Sequence, residues 1–381
     1  MPPAAPIPLA AAALEAARHF HGVPDDRASS PQVVTAPTDG VPAMSHRGAM
    51  RDSPIPAGKL PVDLLARLLH DSEARPPEVR LGPALGEDAC AIDVPGGVLI
   101  AATDPVTLAG SEIGRLAVMV NANDVAVMGV RPRWFLATIL FPTATSEDDV
   151  GALFADMRRA LRAVGATLVG GHTEVTAVVT QPVVVGQMLG IAEHGRFVST
   201  AGVRPGDVIV QVGPVPLEGG AVLAAQAAEH LRGIDATTIA AAAAAIDDPG
   251  ISVVEAALAA AELGASALHD PTEGGIASAL HELGVAGGVA VRVDRARIRW
   301  FPPAVAVCRA LGADPWATLA SGSLLATFDA RDAAAAVEAL AAHGYEVAPI
   351  GVAEVGMGVR DTDGEVIPWP DRDEVARILT G

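Results

Sequence analysis

The run Asn123-Asp124-Val125-Ala126-Val127-Met128-Gly129-Val130-Arg131-Pro132 closes an apolar segment that starts at Ile113. Residues 113–128 have the spacing of a helix, Gly129 stops it, and residues 134–140 read as a strand. Asn and Asp are poor mid-helix residues because their side chains compete for the backbone, and burying them demands partners. Val120, Val125 and Met128 crowd Asn123 and Asp124. The pair either sits on the helix's exposed side or serves a ligand, and the residues alone leave both readings open.

Upstream of this helix, residues 89–94 and 98–103 read as two strands joined at Pro95-Gly96-Gly97, a hairpin signal. Leu64, Leu65, Leu68 and Leu69 mark one face of a helix over residues 60–69. Downstream, Ser146 and Asp149 form a capping box for a helix that presents Val150, Leu153, Phe154, Met157 and Leu161 on one face and stops near Gly165. Strands at 167–170, 175–180 and 183–191 complete a first unit, with the boundary placed near residue 200. The second half alternates strands (208–212, 289–293, 324–328, 346–350) with helices from Gly219, near 236–246, after Ser252 (capped with Glu255), and over 303–311 and 332–343. Both halves lack the regular rhythm of a doubly wound sheet, which predicts an α+β architecture.

Composition narrows the function classes. Half of the 381 residues are hydrophobic, but only 3 % are aromatic, so Ala, Val, Leu and Ile must fill the cores. A net charge of −19 offers no basic footprint and argues against nucleic-acid binding. Two cysteines, Cys90 and Cys308, exclude a disulfide framework and a four-thiolate zinc site. The start lacks a basic n-region, and the uncharged stretch 175–192 is broken by Thr, Gln and Pro, so no membrane span and a cytoplasmic location are expected. Prolines from Pro2 to Pro42 punctuate a stretch without periodicity. The expected organisation is a disordered extension over residues 1–54, an N-terminal domain over 55–199 and a C-terminal domain over 200–381.

Four segments carry chemistry. Gly86-Glu87-Asp88-Ala89 enters one strand and Asp104 leaves the next, so the hairpin brings Asp88 and Asp104 to the same end, where their repulsion calls for a cation or a proton. Asn123-Asp124 has been described. Gly170-Gly171-His172-Thr173-Glu174 offers backbone N–H groups and a hydroxyl to an anion, or else a plain turn between strands. His269-Asp270-Pro271-Thr272-Glu273-Gly274-Gly275 opens a helix whose N-terminus suits a phosphate, although capping alone explains Thr272 and Asp270. Carboxylate-bearing loops from both halves, together with two Gly-Gly loops, are what a magnesium–polyphosphate site requires. Neither a Walker A sequence nor a dinucleotide fingerprint occurs.

Taken in order, Gly86-Glu87-Asp88-Ala89, Ala102-Thr103-Asp104, the run from Asn123 to Pro132, Gly170-Gly171-His172-Thr173, Leu217-Glu218-Gly219 and His269 to Gly275 resemble the superfamily of aminoimidazole ribonucleotide (AIR) synthetase and the hydrogenase maturation protein HypE. Selenophosphate synthetase and thiamine-monophosphate kinase belong to the same group. The resemblance covers roughly residues 57–360. It implies a two-domain AIR-synthase-like (PurM-like) fold whose N-terminal sheets pair into a shared barrel in a homodimer, with an α/β sandwich as the C-terminal domain. It implies ATP and Mg2+ as cofactors. Asp88, Asp104, Asp124 and Asp270 are carried over as magnesium ligands, and Lys59, Gly86, Glu87, Asn123, Gly170, Gly171, His172 and Thr173 as nucleotide-binding positions. The implied activity is ATP-dependent phosphorylation of a substrate, or activation of a carbonyl-type oxygen, on a small molecule or a protein-bound group. The alternatives are a nucleotide-binding regulatory or maturation subunit without turnover and a small-molecule kinase like thiamine-monophosphate kinase. No general base is assigned. Three departures separate the chain from particular members. HypE proteins end in a cysteine, whereas this sequence ends Leu379-Thr380-Gly381; Lys59 has no neighbouring cysteine as in selenophosphate synthetases; and His172 stands where thiamine-monophosphate kinases have Asp. Carbamoyl-group chemistry at the C-terminus is therefore expected to be absent.

Overall fold

The structure, a computed structural model, describes residues 55, 57–70, 75–107 and 112–380. The expected extension over residues 1–54 lies outside them. The first half opens with α1 (Val62–His70), β1 (Val79–Leu81), β2 (Cys90–Val94) and β3 (Gly97–Val106), followed by α2 (Ile113–Ala126), β4 (Trp134–Pro142), α3 (Glu147–Val164), β5 (Thr167–Thr176) and β6 (Val183–Ala192). Its six strands form one sheet in the order β1-β2-β3-β6-β4-β5, with only β4 and β5 parallel.

The second half contributes β7 (Val208–Val212), α4 (Glu218–Gln226), α5 (Ala236–Ala243), α6 (Val254–Glu262), β8 (Ala267–His269), α7 (Gly275–Gly287), β9 (Ala290–Val293), α8 (Pro302–Ala310), β10 (Leu324–Phe328), α9 (Ala333–Ala342), β11 (Val347–Glu354), β12 (Gly358–Asp361) and α10 (Glu374–Thr380). Its sheet runs β12-β9-β11-β7-β10-β8, and only the β9–β12 pair is parallel. The two mixed sheets with their helices are the α+β architecture expected.

Alternation along the strands decides which faces are covered. On the first sheet, Ile100, Phe135, Ile139, Val184 and Met188 are fully buried under α2 and α3, while Leu99, Leu136, Leu140, Val185 and Leu189 on the other face are only half-buried. In the second sheet both faces are covered: Ile276, Leu280 and Leu283 of α7 pack on one, and Val254, Ala257, Val337 and Leu340 of α6 and α9 on the other. Helix α2 also packs against α6, so one apolar core runs from the first half into the second.

Local signals explain most of the elements. Ser146 accepts from the Asp149 amide and Asp149 accepts from the Ser146 amide, so the capping box forms as read; Gly165 ends α3 in the left-handed region at φ 74°. Three readings differ. The strand expected over 175–180 does not form, because β5 ends at Thr176 and a turn follows. The Gly170-Gly171 pair is no turn: β5 runs unbroken through it, because Gly171 at φ 143° lies so close to β4 that a Cβ would stand 2.0 Å from the Ala137 carbonyl oxygen. Helix α6 starts after Val253, which has no side-chain cap, and Ser252 reaches only the Val254 amide at 3.5 Å.

Candidate functional site

The hairpin register pairs Cys90 with Ala101, which sends Asp88 and Asp104 out at one end of β2 and β3. Asp104 is fixed through its backbone: its N–H donates to Asn121 Oδ1 at 2.9 Å, and Asn121 Nδ2 donates to its carbonyl at 3.2 Å. Asp124, next to this end on α2, is buried, and so is Asp270 just beyond β8. Neither carboxylate oxygen of Asp270 has a hydrogen-bond partner among the described residues, and the same holds for Glu87 Oε2. Burial and like-charge repulsion therefore push Asp104, Asp124 and Asp270 toward the neutral form. Asp270 rises to about 8 through burial and then Asp88. Asp104 rises to about 6 through burial and then Glu273, and Asp124 lies well above the usual range through burial and then repulsion from Asp104 and Asp270.

Beside this cluster runs a chain of paired charges. Lys59 Nζ donates to Glu282 Oε1 at 3.1 Å; Glu282 Oε2 accepts from His269 Nε2 at 3.0 Å; His269 Nδ1 donates to Asp88 Oδ2 at 2.8 Å. Both ring nitrogens face carboxylates, which only accept when ionised, so the imidazole is held as the cation despite its burial. Glu282 is almost wholly buried, yet His269 and Lys59 bring its carboxyl down to about 2. Glu218 at the start of α4 and Asp373 before α10 are also buried; burial lifts each to about 7, with Ser321 bonded to Glu218 and the Gly274 N–H donating to Asp373 at 2.7 Å.

The structure brings Lys59, Asp88, Asp104, Asp124 and Asp270 into one seam between the halves. Gly86 packs against the backbone of α7, where a Cβ would meet the Glu282 carbonyl at 2.6 Å, so it shapes the seam without presenting a side chain. Glu87 Oε1 accepts from Ser199 Oγ at 2.6 Å and from the Ala201 amide, which fixes it to the segment that links the halves. Asn123 is likewise a tie: Nδ2 donates to the Ile251 carbonyl and Oδ1 accepts from the Val253 amide, both at 2.9 Å. Gly170, Gly171, His172 and Thr173 lie on the exposed edge strand β5, where His172 Nε2 meets Glu174 at 3.3 Å; among the described residues no hydrogen bond or ion pair joins them to Asp88, Asp104, Asp124 or Asp270. Glu218 lies in the Leu217-Glu218-Gly219 segment that carries the resemblance, whereas nothing in the sequence points to Glu282 or Asp373, because each sits in a helix or tail whose local spacing carries no signal of convergence.

Among the described residues, no three His, Cys, Asp or Glu side chains stand close enough to cage a metal ion. Magnesium needs no such cage, since it keeps waters and substrate phosphates and takes one or two carboxylates. The buried, unpartnered Asp270 facing Asp88 and Asp104 is a donor set of that kind.

Two mixed sheets with an acidic seam between them define a two-domain PurM-like protein. The chain belongs to the AIR synthase related family: the N-terminal domain description matches residues 86–192 and the C-terminal one residues 204–362. It is similar to carbamoyl dehydratase HypE of Cupriavidus necator, 31 % identical over 315 residues that span 77 % of this chain and 86 % of that protein. The fold resembles that of the hydrogenase maturation protein HypE in complex with ATP, with a TM-score of 0.63 at 23 % identity over 77 % of this chain and 92 % of that one. It also resembles AaThiL complexed with AMPPCP and TMP, with a TM-score of 0.62 at 19 % identity over 81 % and 94 %.

Proposed function

We propose that this chain is an ATP-dependent enzyme that phosphorylates a substrate or activates a carbonyl-type oxygen, with Mg2+ in the seam between its halves. The observation that carries the reading is Asp270: a fully buried carboxylate with two open oxygens, facing Asp88 and Asp104 from the other half. Burying a carboxylate without partners is costly, and a cation bridging it to a nucleotide's phosphates removes that cost. A magnesium ion there would neutralise charge on the transferring phosphoryl oxygens. Lys59, half-exposed at the mouth of the seam and using one N–H on Glu282, has donors left for phosphate oxygens. Relatives with nucleotide bound support the same reading. We further propose a homodimer formed through the half-buried apolar face of the first sheet, and a cytoplasmic location.

Isothermal titration with a non-hydrolysable ATP analogue tests this directly. Binding should require Mg2+ and should weaken at least tenfold in Asp270→Asn and Asp88→Asn, which lose charge-assisted contacts. Magnesium-independent binding, unchanged in both variants, would reject the site.

A further inference from the structure

Glu282 is the branch point of the charged chain. It projects from α7 with 8 % of its surface exposed, gives one oxygen to Lys59 in the N-terminal loop and the other to His269 at the end of β8. His269, 2 % exposed, passes the constraint to Asp88 through its second nitrogen. Lys59 lies 223 residues away from Glu282 in sequence, and Asp88 lies 181 from His269, so this one carboxylate joins three separate parts of the chain. The loop bearing Lys59 has a second hold in the Arg372 Nε bond to the Ala57 carbonyl at 3.1 Å. Nothing in the sequence motifs assigns Glu282 or His269 a role.

We propose that Glu282 and His269 are positioning residues that set Lys59 and Asp88 as one unit on the nucleotide's phosphates. The inference rests on the ATP reading above. With Oδ2 of Asp88 held by His269, the carboxylate keeps one orientation, the way a carboxylate or imidazole behind a ligand orients it. With one N–H of Lys59 held by Glu282, the ammonium is kept at the mouth of the seam instead of ranging through solvent on its four-carbon stem. Buried ion pairs of this sort contribute little net stability, so their value lies in geometry.

Two arms test it. In the first, nucleotide-free protein is digested with trypsin, and cleavage after Lys59 is followed by mass spectrometry. Glu282→Gln should speed this cleavage at least fivefold while His269→Asn leaves it near wild type; equal rates in Glu282→Gln and wild type would overturn the hold on Lys59. In the second, titration with the non-hydrolysable ATP analogue and Mg2+ compares Lys59→Ala in two backgrounds. The change should weaken binding about tenfold in wild type and less than threefold in Glu282→Gln, because an unheld lysine no longer contributes. Equal losses in the two backgrounds would overturn the coupling. His269→Asn places an amide near the Nδ1 position and keeps the bond to Asp88, whereas His269→Gln places it near Nε2 and keeps only Glu282. The Gln variant should therefore need several-fold more Mg2+ for half-maximal binding than the Asn variant; identical requirements would reduce His269 to a packing residue and reject its role. Wild-type protein that binds no nucleotide would reject the ATP reading instead, and the trypsin arm would still decide whether Glu282 holds the loop.

Discussion

Replacing Asp270 by Asn should stabilise the ligand-free protein at alkaline pH while abolishing its response to magnesium nucleotide. In an unfolded chain an aspartate loses its proton near pH 4. In the fold, burial and then Asp88 keep Asp270 protonated up to about 8. Between those values the folded state holds the extra proton, so this group's contribution to stability is complete below about pH 4 and falls as pH rises toward 8. At about 1.4 kcal/mol for each tenfold change in proton affinity, the displacement sets a ceiling of about 6 kcal/mol. Removing one charge also lets Asp88, Asp104 and Asp124 relax, so an effect of about 1–3 kcal/mol is expected. For a chain of this size that corresponds to roughly 2–10 °C in melting temperature. Thermal unfolding in chelator at pH 5 and pH 8.5 is the assay: Asp270→Asn should exceed wild type at pH 8.5 and approach it at pH 5, and adding Mg2+ with an ATP analogue should raise only the wild type. A variant that melts below wild type at pH 8.5 would refute the account of Asp270 as a like-charge liability awaiting a cation.

Asn123→Ala removes two buried hydrogen bonds between the halves and strands the Ile251 carbonyl and Val253 amide, at a cost of about 2–4 kcal/mol measurable by urea unfolding. Cys308 is fully buried and its thiol is pushed up to about 11, so a thiol reagent at pH 8 should label Cys90 in the native protein and reach Cys308 only on unfolding. Sedimentation should find a dimer, and Leu136→Lys or Leu189→Lys on the open sheet face should shift it to a folded monomer; a wild-type monomer at micromolar concentration would reject that interface.

Elements with local determinants were legible. Ser146 and Asp149, Gly165, the Pro95-Gly96-Gly97 turn and the apolar spacing of residues 113–128 act within a few residues, so the sequence displays them. The continuous β5 was not legible, because a Gly-Gly pair permits a turn and a close strand approach equally; only the backbone of Ala137, brought in by parallel pairing, selects the second. Asp88, Asp104 and Asp270 could be singled out from the sequence, since acidic residues beside apolar runs stand out. Glu282 could not, because on a mostly buried helix it reads as one more surface carboxylate until Lys59 and His269 are placed around it. Asn123 stood out for a reason the sequence could not supply: its amide is taken up by the backbone of residues 251–253, far along the chain.

Asn121 and Asn123 stand two residues apart on α2, roughly opposite one another around its axis, and each grips a different half of the molecule through both ends of its amide. The helix is thereby keyed like a shaft with a pin at either side. It cannot turn about its axis or slide along it without shearing one pair of bonds or the other. Asp124, which follows directly, inherits that indexing: its bearing is referenced to Asp104 through one key and to the second sheet's helices through the other. A change in the angle between the halves would thus be transmitted to Asp124 as torque on a rigid rod, and the acid cluster would register the relative attitude of the two halves even though Asp124 belongs to only one of them.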